Sequence, residues 1–94
     1  MDKFYIAVRT KNKEMRKVEC EGTKVIIKKG TKDIIAFYNK KIGMLTEFYT
    51  GVAINSRRLT KEGAIAQVKE YFDVIYDRIS NYPLVAQFKL LEED

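Results

Sequence analysis

The sequence predicts an α+β domain: an antiparallel sheet of five to six short strands packed on one amphipathic helix in the C-terminal half. Three observations predict it. From Lys3 to Asn55, short runs of β-branched and aromatic residues are separated by turns bearing glycine and lysine. From Thr60 to Ile79 the apolar spacing switches to the helical period. Ninety-four residues with a hydrophobic fraction of 46% suffice for one core and not for two, so residues 1–94 read as a single domain.

Lys3–Thr10 alternates, with Phe4, Ile6 and Val8 on the face assigned to the helix and Tyr5, Ala7 and Arg9 on the other. Lys11-Asn12-Lys13 is a polar turn. Met15–Glu21 reads as a second strand with Val18 and Cys20 inward, and Gly22-Thr23 as a turn or bulge. Lys24–Lys28 follows as a third strand with Val25 and Ile27 inward, and residues 29–32 close a hairpin. Asp33–Tyr38 lacks a clean period, which predicts a central strand buried on both faces. Beyond the Asn39–Gly43 turn, Met44–Tyr49 and Val52–Asn55 form the last two strands around a tight Thr50-Gly51 turn.

The helix is signalled at its start by Thr60 as N-cap and by Glu62 in the first turn, where a carboxylate favours the helix dipole. Ala64, Ile65, Val68, Tyr71, Phe72, Ile75, Tyr76 and Ile79 fall in one stripe, while Glu62, Glu70, Asp73 and Asp77 gather on the opposite side. Ser80-Asn81 and then Pro83 stop the helix. Leu84–Leu91 fits either a short helix or a closing strand, and its Ala, Gln, Lys and Leu content favours the helix.

Composition narrows the function classes. The chain has no histidine, which removes the commonest general base and metal ligand, and one cysteine without histidine offers no zinc site. Its five glycines match neither a dinucleotide fingerprint nor a P-loop. The expectation is therefore a non-enzyme with no cofactor and no metal. Cys20 reads as a small inward residue that cannot form an internal disulfide. No apolar run approaches the ~20 residues of a membrane span, and the N-terminal stretch lacks the pattern of a secretory leader. These features predict a cytoplasmic protein with no membrane partner.

The net charge of +5 is uneven. Residues 1–41 carry twelve Lys/Arg against five Asp/Glu, and residues 42–94 carry six against eight. Three constellations suit binding. Arg57, Arg58 and Lys61 lie at the helix start, where free amides favour an anion; the alternative is that both arginines reach back to a carboxylate such as Glu47. Lys24, Lys28 and Lys29, with Lys40 and Lys41, give the sheet a basic surface on which Tyr5 and either Phe37 or Tyr38 face outward, an arrangement that suits nucleic acid. Ile26, Val74 and the Tyr71, Tyr76 and Tyr82 group exceed what one helix on one sheet needs, which suits a protein interface or a homodimer.

Several strands followed by one helix resemble the layout of single-strand-binding transcriptional coactivators. The Thr50-Gly51 turn with Thr60-Lys61-Glu62 resembles small proteins of bacterial mobile elements. That second resemblance implies an inhibitor or regulator of a host nuclease or other defence protein. Tyr5, Tyr38 and the acidic helix face (Glu62, Glu70, Asp73, Asp77) would then be its partner-binding residues. The expected function is a small non-catalytic protein-interaction module, with nucleic-acid binding as the alternative.

Overall fold

The computed structural model of the chain describes residues 1–93. It is an α+β fold with the elements β1 (Asp2–Arg9), β2 (Met15–Lys29), β3 (Lys32–Asn39), β4 (Met44–Glu47), α1 (Lys61–Glu70), α2 (Phe72–Ile79), a single 3₁₀ turn (Val85–Gln87) and β5 (Lys89–Leu90). The sheet order is β1-β2-β3-β4, antiparallel throughout, and β5 adds in parallel to β2.

The largest departure from the sequence reading lies in β2. Residues 15–29 form one uninterrupted strand where two were expected. Its first half pairs with β1 (Ile6 opposite Val18) and its second half with β3 (Ile27 opposite Ile34). Side chains alternate along a strand, so Val18 and Cys20 lie on one face and Val25 and Ile27 on the other. The helices cover the second face, where Ile27, Ile34, Ala36, Tyr38, Leu45 and Ile54 pack with Ala64, Val68, Phe72 and Ile75. Phe4 stands opposite Cys20, so Phe4, Ile6 and Val8 face away from the helices, contrary to expectation.

Gly22 sits where β2 passes from one partner to the other. A Cβ there would come within 2.5 Å of the Tyr38 carbonyl oxygen and 3.0 Å of the Phe4 ring. Crowding by both neighbours, and not a reversal of the chain, explains this glycine.

The sheet curls until its ends meet. The Ala7 amide, on the edge of β1 away from β2, donates to the Gly51 carbonyl at 2.9 Å. Gly51 has φ +70°, and a Cβ on it would lie 2.7 Å from the Ala7 nitrogen. Both facts demand glycine at this contact.

The expected strand Val52–Asn55 reduces to a single bridge between Ala53 and Thr46. Asn55 ends it: its side-chain oxygen accepts from the Leu45 amide (2.7 Å) and its side-chain nitrogen donates to the carbonyls of Gly43 and Arg57. The side chain thus takes the place of a backbone ladder. Likewise the single expected helix is two, divided at Tyr71 (φ −108°, ψ +28°), although the apolar stripe continues across the break. Thr60 caps α1 as expected, accepting from the Gly63 amide at 3.1 Å.

Residues 84–91 take neither expected form in full. Val85 is buried and its amide donates to the Tyr49 carbonyl, which anchors a 3₁₀ turn in place of an α-helix. Two residues of strand follow, held on β2 by Arg16, whose guanidinium donates to the carbonyls of Leu90 and Glu93.

Candidate binding surface

The face turned away from the helices bears exposed Ile26 and, just past the end of β4, exposed Phe48. Cross-strand neighbours share a face, so Ile26 on β2 and Ile35 on β3 lie side by side. The Phe48 amide donates to the Ile35 carbonyl, which extends the row to Phe48 just past the end of β4. The next row sets Lys24 beside Phe37 and Thr46. Phe4 stacks on Phe37 with centroids 5.1 Å apart and planes 6° from parallel. Phe48 lies 5.8 Å from Phe37, and Tyr49 meets Phe48 edge-on at 4.8 Å. Phe4 and Phe37 are buried, whereas Ile26, Phe48 and Tyr49 are 49%, 41% and 54% exposed.

This apolar strip continues round the end of the sheet. Tyr49, Tyr82 and Leu84 border a hollow of about 300 Å³ that also includes Asp33, Glu47, Tyr76 and Ile79. Glu47 is 4% exposed, and its carboxylate accepts from the amides of Tyr49 (3.1 Å) and Thr50 (2.8 Å). It therefore closes the turn beneath the strip. It is not the partner of Arg57 or Arg58.

The aromatic residues expected on the open face are redistributed. Tyr38, expected on the open face, instead faces the helices, is buried, and donates its hydroxyl to the Leu59 carbonyl at 2.6 Å, so it is part of the core. Tyr5 lies on the opposite face from Lys24 and Lys28, with the Lys17 ammonium 4.8 Å from its ring centroid. Phe48 takes the place expected of these tyrosines, with Tyr49 against its edge at the end of the sheet. The signal for Phe48 is in the sequence: continuing the alternation of β4 past Glu47 puts Phe48 on the face of Ile35, and the Thr50-Gly51 turn ends the sheet before anything covers it.

The basic residues separate into two groups at opposite ends of the β2–β3 hairpin, about 25 Å apart along eight residues of strand. At one end, Arg58 lies over the β3–β4 turn and donates to the Lys41 carbonyl at 2.5 Å, next to Lys40, with Arg57 and Lys61 close in sequence. Neither arginine pairs with a carboxylate among the described residues. At the other end, Lys29 bridges to Asp73 at 2.6 Å, while Lys32 stands 5.0 Å from the Tyr76 centroid. Lys24 lies between the groups, and Lys28 at the hairpin end. The Lys29–Asp73 pair interrupts the acidic helix face: the Lys29 hydrogen bond, with the nearby Lys29 and Lys32 charges, holds the Asp73 carboxyl below its ordinary value. Glu62, Glu70 and Asp77 are exposed and unpaired among the described residues.

Burial, and secondarily the Glu19 charge, push the half-buried Cys20 thiol up, away from the reactive thiolate. No helix among the described residues is long and apolar enough to cross a membrane. No family model, curated protein or solved structure matches the chain.

Proposed function

We propose that this chain is a small non-catalytic protein-binding module that meets its partner through the face bearing Ile26, Ile35 and Phe48, with Tyr49 at its end. One observation carries the reading: exposed Ile26, half-buried Ile35 and exposed Phe48 form one apolar row across a sheet whose opposite face, over β3, β4 and the second half of β2, is covered by two helices. Apolar surface of this kind costs solubility and is spent where a partner covers it, and Phe and Tyr are favoured in such contacts. An inhibitor or regulator of a nuclease or defence protein is the sharper form of this reading, and a cytoplasmic setting suits the lone thiol. Affinity capture with the wild-type chain and with Phe48→Asp tests it. A discrete protein retained by the wild type and lost with the variant supports the reading. Identical retention by both removes it.

The basic end supports a second reading. Arg58 lies against the Lys40-Lys41 turn, with Arg57 and Lys61 near it in sequence, a basic grouping suited to a phosphate backbone. Oligonucleotide binding that weakens steeply with salt and is lost on Arg57→Ala/Arg58→Ala supports it; no binding at low salt removes it.

A further inference from the structure

β1 covers only the first half of β2. Their register ends with Asp2 opposite Gly22, and beyond it the corresponding edge of β2 has no neighbour. The direction of the backbone groups there follows from the ladder. The Ile35 carbonyl accepts from Phe48, so residue 35 turns its backbone toward β4, and its cross-strand partner Ile26 turns its own toward the open edge. By the period of two, Lys24 and Lys28 do the same. The amides and carbonyls of these three residues have no partner among the described residues. Lys24, Ile26 and Lys28 are all exposed, and Ile26 begins the apolar row that runs to Phe48.

We infer that this open edge, residues 23–29 of β2, is a strand-addition site for an extended segment of a protein partner with the pattern acidic–x–apolar–x–acidic. This inference rests on the protein-binding reading and specifies the chemistry of its partner. An added strand satisfies the free backbone groups and sets every second side chain beside Lys24, Ile26 and Lys28. Opposite charges in such cross-strand positions stabilise the pairing, and an apolar residue beside Ile26 lengthens the row across the sheet. Lysines are also the usual guard against unwanted edge pairing, and here they select the partner by charge. A second copy of this chain is the wrong occupant: antiparallel self-pairing about Ile26 places Lys24 against Lys28 of the other copy, with like charges opposed.

The test uses the intact chain and a capped peptide, TEVIVET. Titration followed by amide NMR is expected to shift the signals of Lys24, Ile26 and Lys28. The peptide TKVIVKT is expected to bind at least about tenfold more weakly, and Lys24→Glu/Lys28→Glu is expected to reverse that preference. For an antiparallel added strand, N-methylation at the peptide isoleucine removes the donor facing Ile26 and is expected to cost about tenfold or more, whereas N-methylation at the adjacent valine, whose donor faces outward, is not. Shifts mapping elsewhere, indifference to the site of N-methylation, displacement of the peptide by an oligonucleotide at the same amides, or a dimer formed through this edge would each overturn the inference. If the peptide fails while Phe48→Asp still abolishes capture of a protein, the edge assignment falls and the broader reading stands. If both fail, the reading itself falls.

Discussion

The two faces of the sheet are both apolar, and they differ in what covers them. On one face Ile27, Ile34, Leu45, Val68 and Phe72 are almost wholly buried beneath α1 and α2. On the other, Phe4 and Phe37 are buried by the curl of the sheet itself, and the row then runs out into solvent at Ile26 and Phe48. β2 belongs to both faces, its first half giving Val18 and Cys20 to one and its second half giving Val25 and Ile27 to the other. Hydrophobicity alone therefore does not say which residues hold the fold. Coverage does: it assigns stability to the helix side and leaves the open side as the surface proposed for a partner.

Truncation should separate the faces most sharply. Phe72→Ala empties a closed core and should cost about 3–5 kcal/mol, whereas Phe48→Ala, at a half-exposed site, should cost under about 1 kcal/mol. Urea denaturation of both variants checks this, and equal losses would erase the distinction. Gly22→Ala strikes the point where β2 changes partners. With backbone oxygen in the way, it should cost about 1–3 kcal/mol and lower the melting temperature. Glu47→Ala removes the acceptor of two amides at the end of the helix-covered face. A loss of about 1 kcal/mol in denaturation is expected, with faster amide exchange at Tyr49 and Thr50.

The smallest effect is electrostatic. Asp73 has a folded-state pKa below its unfolded value, so the stability it contributes is present above the unfolded pKa and is lost as pH falls through the folded one. Carboxyl NMR titration should place Asp73 below an ordinary aspartate. Lys29→Ala should return it toward that value, and an unchanged titration would show that the bridge to α2 does not form in solution.

Local rules read much of this fold well. Thr60 as cap, Ala64, Val68, Phe72 and Ile75 as buried positions, and Ile34–Tyr38 as a central strand all follow from spacing and side-chain chemistry. What escaped them depends on pairing between distant segments. Gly22 looks like a turn signal, because nothing in the local sequence tells of Phe4 and the Tyr38 backbone pressing on it. Treating β2 as two strands reset its alternation and turned Phe4, Ile6 and Val8 toward the wrong face. Tyr38 has the composition of a surface aromatic, and only the position of the Leu59 carbonyl makes it a core one. At the candidate site, the outward direction of Lys24, Ile26 and Lys28 follows from alternation alone, whereas their position at an open edge depends on how far β1 reaches along β2. The isolation of Lys40, Lys41, Arg57 and Arg58 from Lys28 and Lys29 was not legible, since it depends on which end of the hairpin each turn occupies.

If a protein partner sits on the open face, a side chain at position 48 lies within its reach and one on the far side of the helices does not. The most direct measurement is site-specific photo-crosslinking in cells, with a benzophenone-bearing phenylalanine analogue placed at position 48 and, for comparison, at position 74, where Val74 is an exposed apolar residue on α2. A discrete protein adduct is expected from position 48 and none from position 74. No adduct at 48, the same adduct from both positions, or adducts only to nucleic acid would rule out a protein partner on the open face.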